Sequence, residues 1–341
     1  MSLSLPLKEK KNKAMSVSVN NLDGKLDLID ITALSAAYEP EELLGEGTYG
    51  IVFRARNKAT GAKYAIKKLR LDGFAEGVPA TTIREATLLH DLNDNPNVVK
   101  LLDVVCSEHR VYLIFELLDE DLRCFIKRYR PVSGQKPTNG TAVPLHIVRE
   151  FTRQMLYALW TCHNSRILHR DLKPGNILVA NYRDKTGETK YYVKLADFGL
   201  ARMFEMSVQT YTHEVMTLWY RSPEIILGDR HYTPAADVWS VGCIVAEMIL
   251  GYSLFRGENW RDQLDKVFYV VGTPTEQTWP GVTKLPGYDR NFKVYHVAPL
   301  PTRLRDYDEK AVEFIAYLLV TNPKLRPTIP DILEHPFMKD A

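Results

Sequence analysis

His169-Arg170-Asp171-Leu172-Lys173-Pro174-Gly175-Asn176 is the stretch on which the reading of this chain turns. Asp171 can orient and deprotonate an incoming hydroxyl. Lys173 can neutralise charge on a transferring phosphoryl group, and the Asn176 amide can hold a metal. Downstream, Asp197-Phe198-Gly199 adds a carboxylate for magnesium, a hard cation that takes oxygen ligands together with phosphates. Either motif alone is compatible with a structural turn. The two in this order, behind the features that precede them, leave that reading little room.

Upstream lies Gly45-Glu46-Gly47-Thr48-Tyr49-Gly50-Ile51-Val52. Glycines let a backbone turn tightly and approach phosphate oxygens without Cβ clashes. A dinucleotide-binding fold would follow such a loop with a helix, whereas IVFRARN reads as a strand. Lys67, in Tyr64-Ala65-Ile66-Lys67, sits on an otherwise apolar strand, where an unpaired ammonium is costly. Glu85 is a plausible partner, and such a pair can aim the ammonium at α- and β-phosphates; a surface ion pair is the alternative.

Between residue 38 and about 115, short β-rich runs are separated by turn residues such as Thr60-Gly61. One segment breaks the pattern: ATTIREATLLHDL spaces Ile83, Ala86, Leu89 and Leu92 as a helix does, with Pro79 just ahead. From Leu118 onward HIVREFTRQMLYALWTCHN, AADVWSVGCIVAEMIL and EKAVEFIAYLLV read as long helices. Two stretches, 131–144 and 181–190, look like insertions, the second as a lengthened hairpin loop. Residues 1–37 read as a loosely held extension with a short helix near LDLIDITALSAA.

Composition excludes several classes. The chain has 341 residues, 45% hydrophobic and 25% charged, with a net charge of +2, which gives no reason to expect direct nucleic-acid or membrane binding. Its four cysteines, Cys106, Cys124, Cys162 and Cys243, form no C-x-x-C pair and read as reduced intracellular thiols. No apolar run reaches the ~18 residues of a membrane span. MSLSLPLKEKKNKAM lacks the apolar core of a signal peptide, and its KEKKNK stretch is either a weak nuclear address or a solvated basic tail. A nuclear or cytoplasmic location, or both, is expected.

These motifs, in this order, resemble the eukaryotic protein kinase family over about residues 38 to 340. Ser222-Pro223-Glu224 stands where the family usually has Ala-Pro-Glu, and Asp237-Val238-Trp239-Ser240 and Arg326 match as well. Lys173 resembles the serine/threonine branch. GEGTYG, VPATTIRE, TYTHEVMTLWYRSPE and GTPTEQTWPGV are similar to the cyclin-dependent kinases; Pro79-Ala80-Thr81-Thr82-Ile83-Arg84-Glu85 departs at two positions from that family's usual P-S-T-A-I-R-E. The two insertions and GDRHYT (228–233) look like the Mediator-associated branch, which tends to lack the activating threonine and the phenylalanine of Asp-Phe-Gly.

The resemblance implies an α+β bilobal fold: an N-lobe over 38–117, β-rich with one regulatory helix, and a larger helical C-lobe over 118–341. It implies ATP and magnesium, with Asp171, Lys173, Lys67 and Glu85 catalytic. Gly45, Glu46, Gly47, Thr48, Tyr49, Gly50, Val52, Ala65, Phe115, Glu116, Leu118 and Asp121 would line the nucleotide site, and Asn176 and Asp197 would hold the metal. Thr48 and Tyr49 become inhibitory phosphosites. Thr212 becomes the activating one, met by Arg84, Arg170 and Arg202. Val215, Met216 and Arg221 form the pocket for the residue after the phosphoacceptor, favouring proline, which has no N–H to leave unpartnered. Expected partners are a cyclin, an upstream activating kinase and protein substrates carrying Ser/Thr-Pro. The rivals are a pseudokinase scaffold, which would have lost Lys67, Asp171, Asn176 or Asp197, a small-molecule phosphotransferase, and a proline-directed kinase without a cyclin. Phe115 is the gatekeeper by this resemblance, so Phe115→Gly is expected to admit N6-bulky ATP analogues; analogue use equal to wild type in a peptide assay would reject the assignment.

Overall fold

A computed structural model describes residues 34–47, 50–69, 89, 92–107, 110–130, 140–198, 202–203, 218–296, 300 and 304–339. The chain divides into two units, Met1–Val78 with Leu102–Leu117, and Pro79–Leu101 with Leu118–Ala341. The first is β-rich and the second mainly helical, the α+β organisation that the resemblance implies.

In the first unit five strands form one sheet, in the order β1 (Tyr38–Gly47), β2 (Gly50–Asn57), β3 (Lys63–Leu69), β5 (Arg110–Glu116) and β4 (Leu101–Ser107). Side chains alternate across a strand, so Phe53 and Ala55, Ile66, and Tyr112 and Ile114 gather on one face as the core. Leu34 joins them from ahead of the first strand. Its carbonyl accepts from the N–H groups of Ala37 and Tyr38 at 2.9 and 2.8 Å, and the turn lays the buried side chain on the sheet. Packed chain therefore begins before Tyr38. The β2–β3 turn uses Asn57, whose Oδ1 accepts from the N–H groups of Ala59 and Thr60, and Gly61 at φ 72°.

The second unit holds, among the described residues, α1 (Leu122–Tyr129), α2 (Leu145–Asn164), α3 (Pro223–Ile226), α4 (Pro234–Leu250), α5 (Trp260–Val271), α6 (Glu309–Leu318), α7 (Ile329–Leu333) and α8 (Pro336–Lys339). Five short strands accompany them: β6 (Glu120–Asp121), β7 (Ile167–Leu168), β8 (Ile177–Arg183), β9 (Thr189–Leu195) and β10 (Arg202–Met203), arranged as β6-β8-β9 and β10-β7. Its centre is α4, buried at every residue from Ala236 to Leu250 and packed by α2 and α6. A helix apolar all round belongs in a core. Pro234 opens it where no N–H is needed, and Gly251, in the left-handed region, closes it. None of the described helices is long and apolar enough to cross a membrane.

Both expected insertions take on more structure than loops. In 181–190 the two strands simply continue: Asn181 pairs with Tyr191 and Arg183 with Thr189, so the turn shrinks to the residues around Asp184. Asp184 Oδ1 accepts from Thr186 N–H, Thr186 hydroxyl and Glu188 N–H, which closes that turn. In 131–144 the last residues are packed, with Thr141 and Val143 buried. The N–H groups of Ala142 and Val143 donate to the carbonyls of Ile249 and Met248 at 2.8 and 3.0 Å, satisfying orphan acceptors at the end of α4. Arg130 Nε, just before the insertion, donates to the Gly251 carbonyl at 2.9 Å. Residues 131–139 lie outside the described ones, as does the segment expected to form the regulatory helix, apart from the buried Leu89 and Leu92.

One ion pair ties α3 to the far end of the unit. Arg326 donates to both oxygens of Glu224, at 2.9 and 3.0 Å, and to the Val320 carbonyl at 3.0 Å, with both side chains almost wholly buried. Truncating one member leaves the other charged and desolvated. Arg326→Ala is therefore expected to cost roughly 3–5 kcal/mol in urea unfolding; a loss below about 1 kcal/mol would place the pair among surface-like bridges.

Candidate active site

The loop after β7 owes its path to Asp237, in the first turn of α4. Asp237 Oδ2 accepts from the His169 N–H at 3.0 Å, and Oδ1 from the Arg170 N–H at 2.9 Å. His163, in the last turn of α2, brings Nε2 within 2.9 Å of Oδ2. Burial opposes ionisation of this carboxyl, but the His163 hydrogen bond, the His163 and His169 rings and the Arg170 N–H outweigh it, and its pKa lies below the usual range. Two consecutive N–H groups converging on one anion require a tight backbone, and Arg170 has φ 69°. Among the described non-glycine residues only Arg166, Arg170 and Asp197 have positive φ. Such strain, about 1–3 kcal/mol each, gathers at functional sites.

His169 then orders its own neighbours. Its Nε2 meets the Ala196 carbonyl at 3.0 Å, and its Nδ1 meets the Asp171 N–H at 3.4 Å. A carbonyl only accepts and an N–H only donates, so the proton belongs on Nε2. The ring packs on Phe198, centroids 4.7 Å apart, which holds the Asp197-Phe198 turn to the loop.

Asp171 is 8% exposed, and its two oxygens have different surroundings. Oδ2 accepts from Asn176 Nδ2 at 3.0 Å and pairs with Lys173 Nζ at 2.9 Å. Oδ1 is buried and has no hydrogen-bond partner among the described residues. Buried acceptors are nearly always satisfied, so this one is a place for a hydroxyl from outside. Asn176 spends its Nδ2 on Asp171, at the carbonyl (2.8 Å) as well as at Oδ2, so its amide oxygen is the atom left for a cation. The β8–β9 ladder brings Asp197 to the same end: Ile177 pairs with Leu195, and the Ala196 N–H donates to the Asn176 carbonyl at 2.9 Å. An amide oxygen plus a carboxylate is the donor chemistry that magnesium takes.

In the first unit, strand register gathers the expected nucleotide-site residues. Gly45 pairs with Val52, Val52 with Lys67, and Ala65 with Phe115. Ala65 and Lys67 are two apart on β3, so all five stand on one face, opposite the Phe53–Ile66–Ile114 core. Lys67 is a buried cation there. A Cβ built on Gly45 would meet nothing within 4 Å, whereas one on Gly50 would strike the Lys68 carbonyl at 2.1 Å, so only glycine fits where β2 begins. A buried ammonium beside a glycine turn fits a nucleoside triphosphate.

Other expected residues fall elsewhere. Asp121 caps α1: Oδ1 accepts from the Cys124 N–H at 2.8 Å and Oδ2 from Arg123 at 3.0 Å. Glu46 lies on β1, Glu116 ends β5 and Leu118 follows it. Arg202 is described in its backbone, paired with Leu168 just before the catalytic loop. The Arg221 N–H closes a turn on the Leu218 carbonyl at 3.1 Å. Thr48, Tyr49, Arg84, Glu85, Thr212, Val215 and Met216 lie outside the described residues. Sequence reading missed the task of Asp237, whose signal was a carboxylate in the first turn of a largely apolar helix. It missed His163 altogether.

The protein kinase domain model matches residues 38–338. Cell division control protein 2 homolog 3 of Trypanosoma brucei brucei is 45% identical over 306 residues, spanning 89% of this chain and 92% of that protein.

Because the folded-state pKa of Asp237 is depressed, the group contributes stability that is whole above the unfolded value of ~3.9 and is lost as pH falls through the lower folded value. Asp237→Asn is expected to lower stability by about 3 kcal/mol at neutral pH. The gap to wild type should narrow below pH ~4 in melting curves. A gap independent of pH down to 2.5 would contradict the carboxylate's role.

Proposed function

The chain belongs to the protein kinase family, as a serine/threonine kinase of the cyclin-dependent type, and from that premise we propose that it transfers the ATP γ-phosphate to Ser or Thr followed by Pro. Cyclin binding and phosphorylation of Thr212 activate it, and it works in the nucleus, the cytoplasm or both.

The observation that carries this reading is the unpartnered Oδ1 of Asp171. With Oδ2 held by Asn176 and Lys173, Oδ1 is free to accept the substrate's O–H and align its oxygen on the phosphorus. The hydroxyl proton moves to that oxygen as the new O–P bond forms and the bond from the γ-phosphorus to the β–γ bridging oxygen breaks, releasing ADP. Lys173, beside it, offsets the charge that spreads onto the phosphoryl oxygens. Lys67 grips the α- and β-phosphates from the sheet face that also carries Val52, Ala65 and Phe115, and the backbone of Glu116 and Leu118 meets the base. Asn176 and Asp197 would hold magnesium, which supplies charge neutralisation to the triphosphate. Asp121 has both oxygens engaged by α1, so a further role at the ribose would use its remaining lone pairs.

The retained Lys67, Asp171, Asn176 and Asp197 count against a pseudokinase. Asp171→Asn is expected to cut kcat by about 10²–10⁴-fold, with ATP affinity little changed, when the cyclin-bound chain is assayed on a Ser-Pro peptide. Turnover near wild type would sink the catalytic assignment. A degenerate peptide library without proline enrichment after the phosphoacceptor would reject the substrate class, and Thr212→Ala at wild-type turnover the activation switch.

A further inference from the structure

The loop between α4 and α5 presents an exposed arginine that has no counter-ion among the described residues. The Arg256 guanidinium carbon lies 5.8 Å from the ring centroid of Trp219 and 5.9 Å from that of Tyr252. Both distances fall within reach of a ring's quadrupole. Arg256 makes no ion pair with a described carboxylate, whereas its basic neighbours do: Arg261 pairs with Asp289 at 2.7 Å and Lys266 with Asp262 at 2.8 Å. The backbone beneath it is fixed. The Lys266 ammonium donates to the Arg256 carbonyl. The Gly257 N–H donates to Gln263 Oε1 at 2.7 Å, the Gly257 carbonyl accepts from Trp219 Nε1 at 3.0 Å, and Gln263 leaves no room there for a Cβ. The Tyr220 hydroxyl adds bonds to Glu247 at 2.6 Å and Ser253 at 3.1 Å. Trp219 and Tyr220 are thereby fastened to this loop. Arg221, expected in the pocket for the residue after the phosphoacceptor, follows them directly.

We propose that Arg256 is a second specificity determinant for the protein substrate, pairing with a carboxylate side chain that lies outside the phosphoacceptor–proline pair. This deepens the reading of the chain as a Ser/Thr-Pro kinase and rests on it. A guanidinium carries its N–H groups in its plane, in forks that suit the two oxygens of a carboxylate. Rings beside it narrow its rotamers before substrate arrives, so less freedom is lost on pairing. The pair stays in contact with water and away from the reacting atoms. It therefore holds ground state and transition state alike, which lowers KM and leaves kcat alone.

The test uses the full chain with its cyclin and a Ser-Pro peptide carrying glutamate, glutamine or lysine at each position in turn outside the Ser-Pro pair. The quantity compared is the ratio of kcat/KM for the glutamate and glutamine peptides, which does not depend on how much of a variant is folded. At the position that reaches Arg256, wild type is expected to favour glutamate about two- to fivefold, through KM. Raised ionic strength should shrink that preference. Arg256→Lys should keep part of it, Arg256→Gln should abolish it, and Arg256→Glu should favour lysine at the same position. A wild type indifferent to glutamate at every position would overturn the proposal, as would a preference that survives Arg256→Gln. A wild type that phosphorylates none of the peptides would overturn the Ser/Thr-Pro reading instead. Fluorescence anisotropy of the labelled glutamate and glutamine peptides, on wild type and Arg256→Glu, then decides the Arg256 contact on its own, and equal affinities would reject it.

Discussion

A carboxylate buried in the core decides where the catalytic loop can go. Asp237 costs free energy to bury, and that cost is offset only while His163 and the N–H groups of His169 and Arg170 stay on it. The arrangement thereby punishes any other path for the loop. Strain at Arg170 persists because the alternative is an unsatisfied anion inside α4's surroundings. His169, held in turn, passes the same precision to Asp171 and, through Phe198, to Asp197. Placement of the candidate catalytic groups is inherited from a helix buried along most of its length.

The two units solve different problems. The sheet sorts by alternation: one face gathers apolar side chains into a core, and the other carries the buried ammonium of Lys67 beside Val52 and Ala65. The helical unit sorts by pairing. Among its buried charges, Asp237, Glu247, Glu224 and Arg326 each have named partners, and Glu247 takes the Tyr220 hydroxyl at 2.6 Å and Ser253 at 2.9 Å. Burial, with Glu247 beside it, pushes the Tyr220 hydroxyl well above its usual range, so it stays a donor.

Much of this was legible in the residues. The long helices α2, α4 and α6 declare themselves because burial of a helix face requires a repeating apolar spacing. Asp171, Asn176 and Asp197 do so because the chemistry admits few residue types at those spacings. Other features had no local signal. Arg183 and Thr189 look like loop residues, since a hairpin that projects from the core needs no apolar face; only its ladder identifies it. Asp121 resembles a ligand residue and also caps a helix, and sequence does not separate those tasks. Leu34 falls near the end of LDLIDITALSAA, which reads as a short helix, and its burial depends instead on the turn at 34–37; the earlier part of that stretch lies outside the described residues. Tyr232 and Arg170 are far apart in sequence, so their stacking exists only once the fold brings α4 under the loop.

The two ends of the first insertion grip the same spot, the carbonyl end of α4, through Arg130 on one side and Ala142 and Val143 on the other. The chain between those anchors is a closed excursion whose entropy grows only slowly with its length. Adding or removing residues between the anchors therefore changes the closure entropy only slightly. The end of α4, and with it the loop fastened to Asp237, takes its fixed position from the anchors themselves.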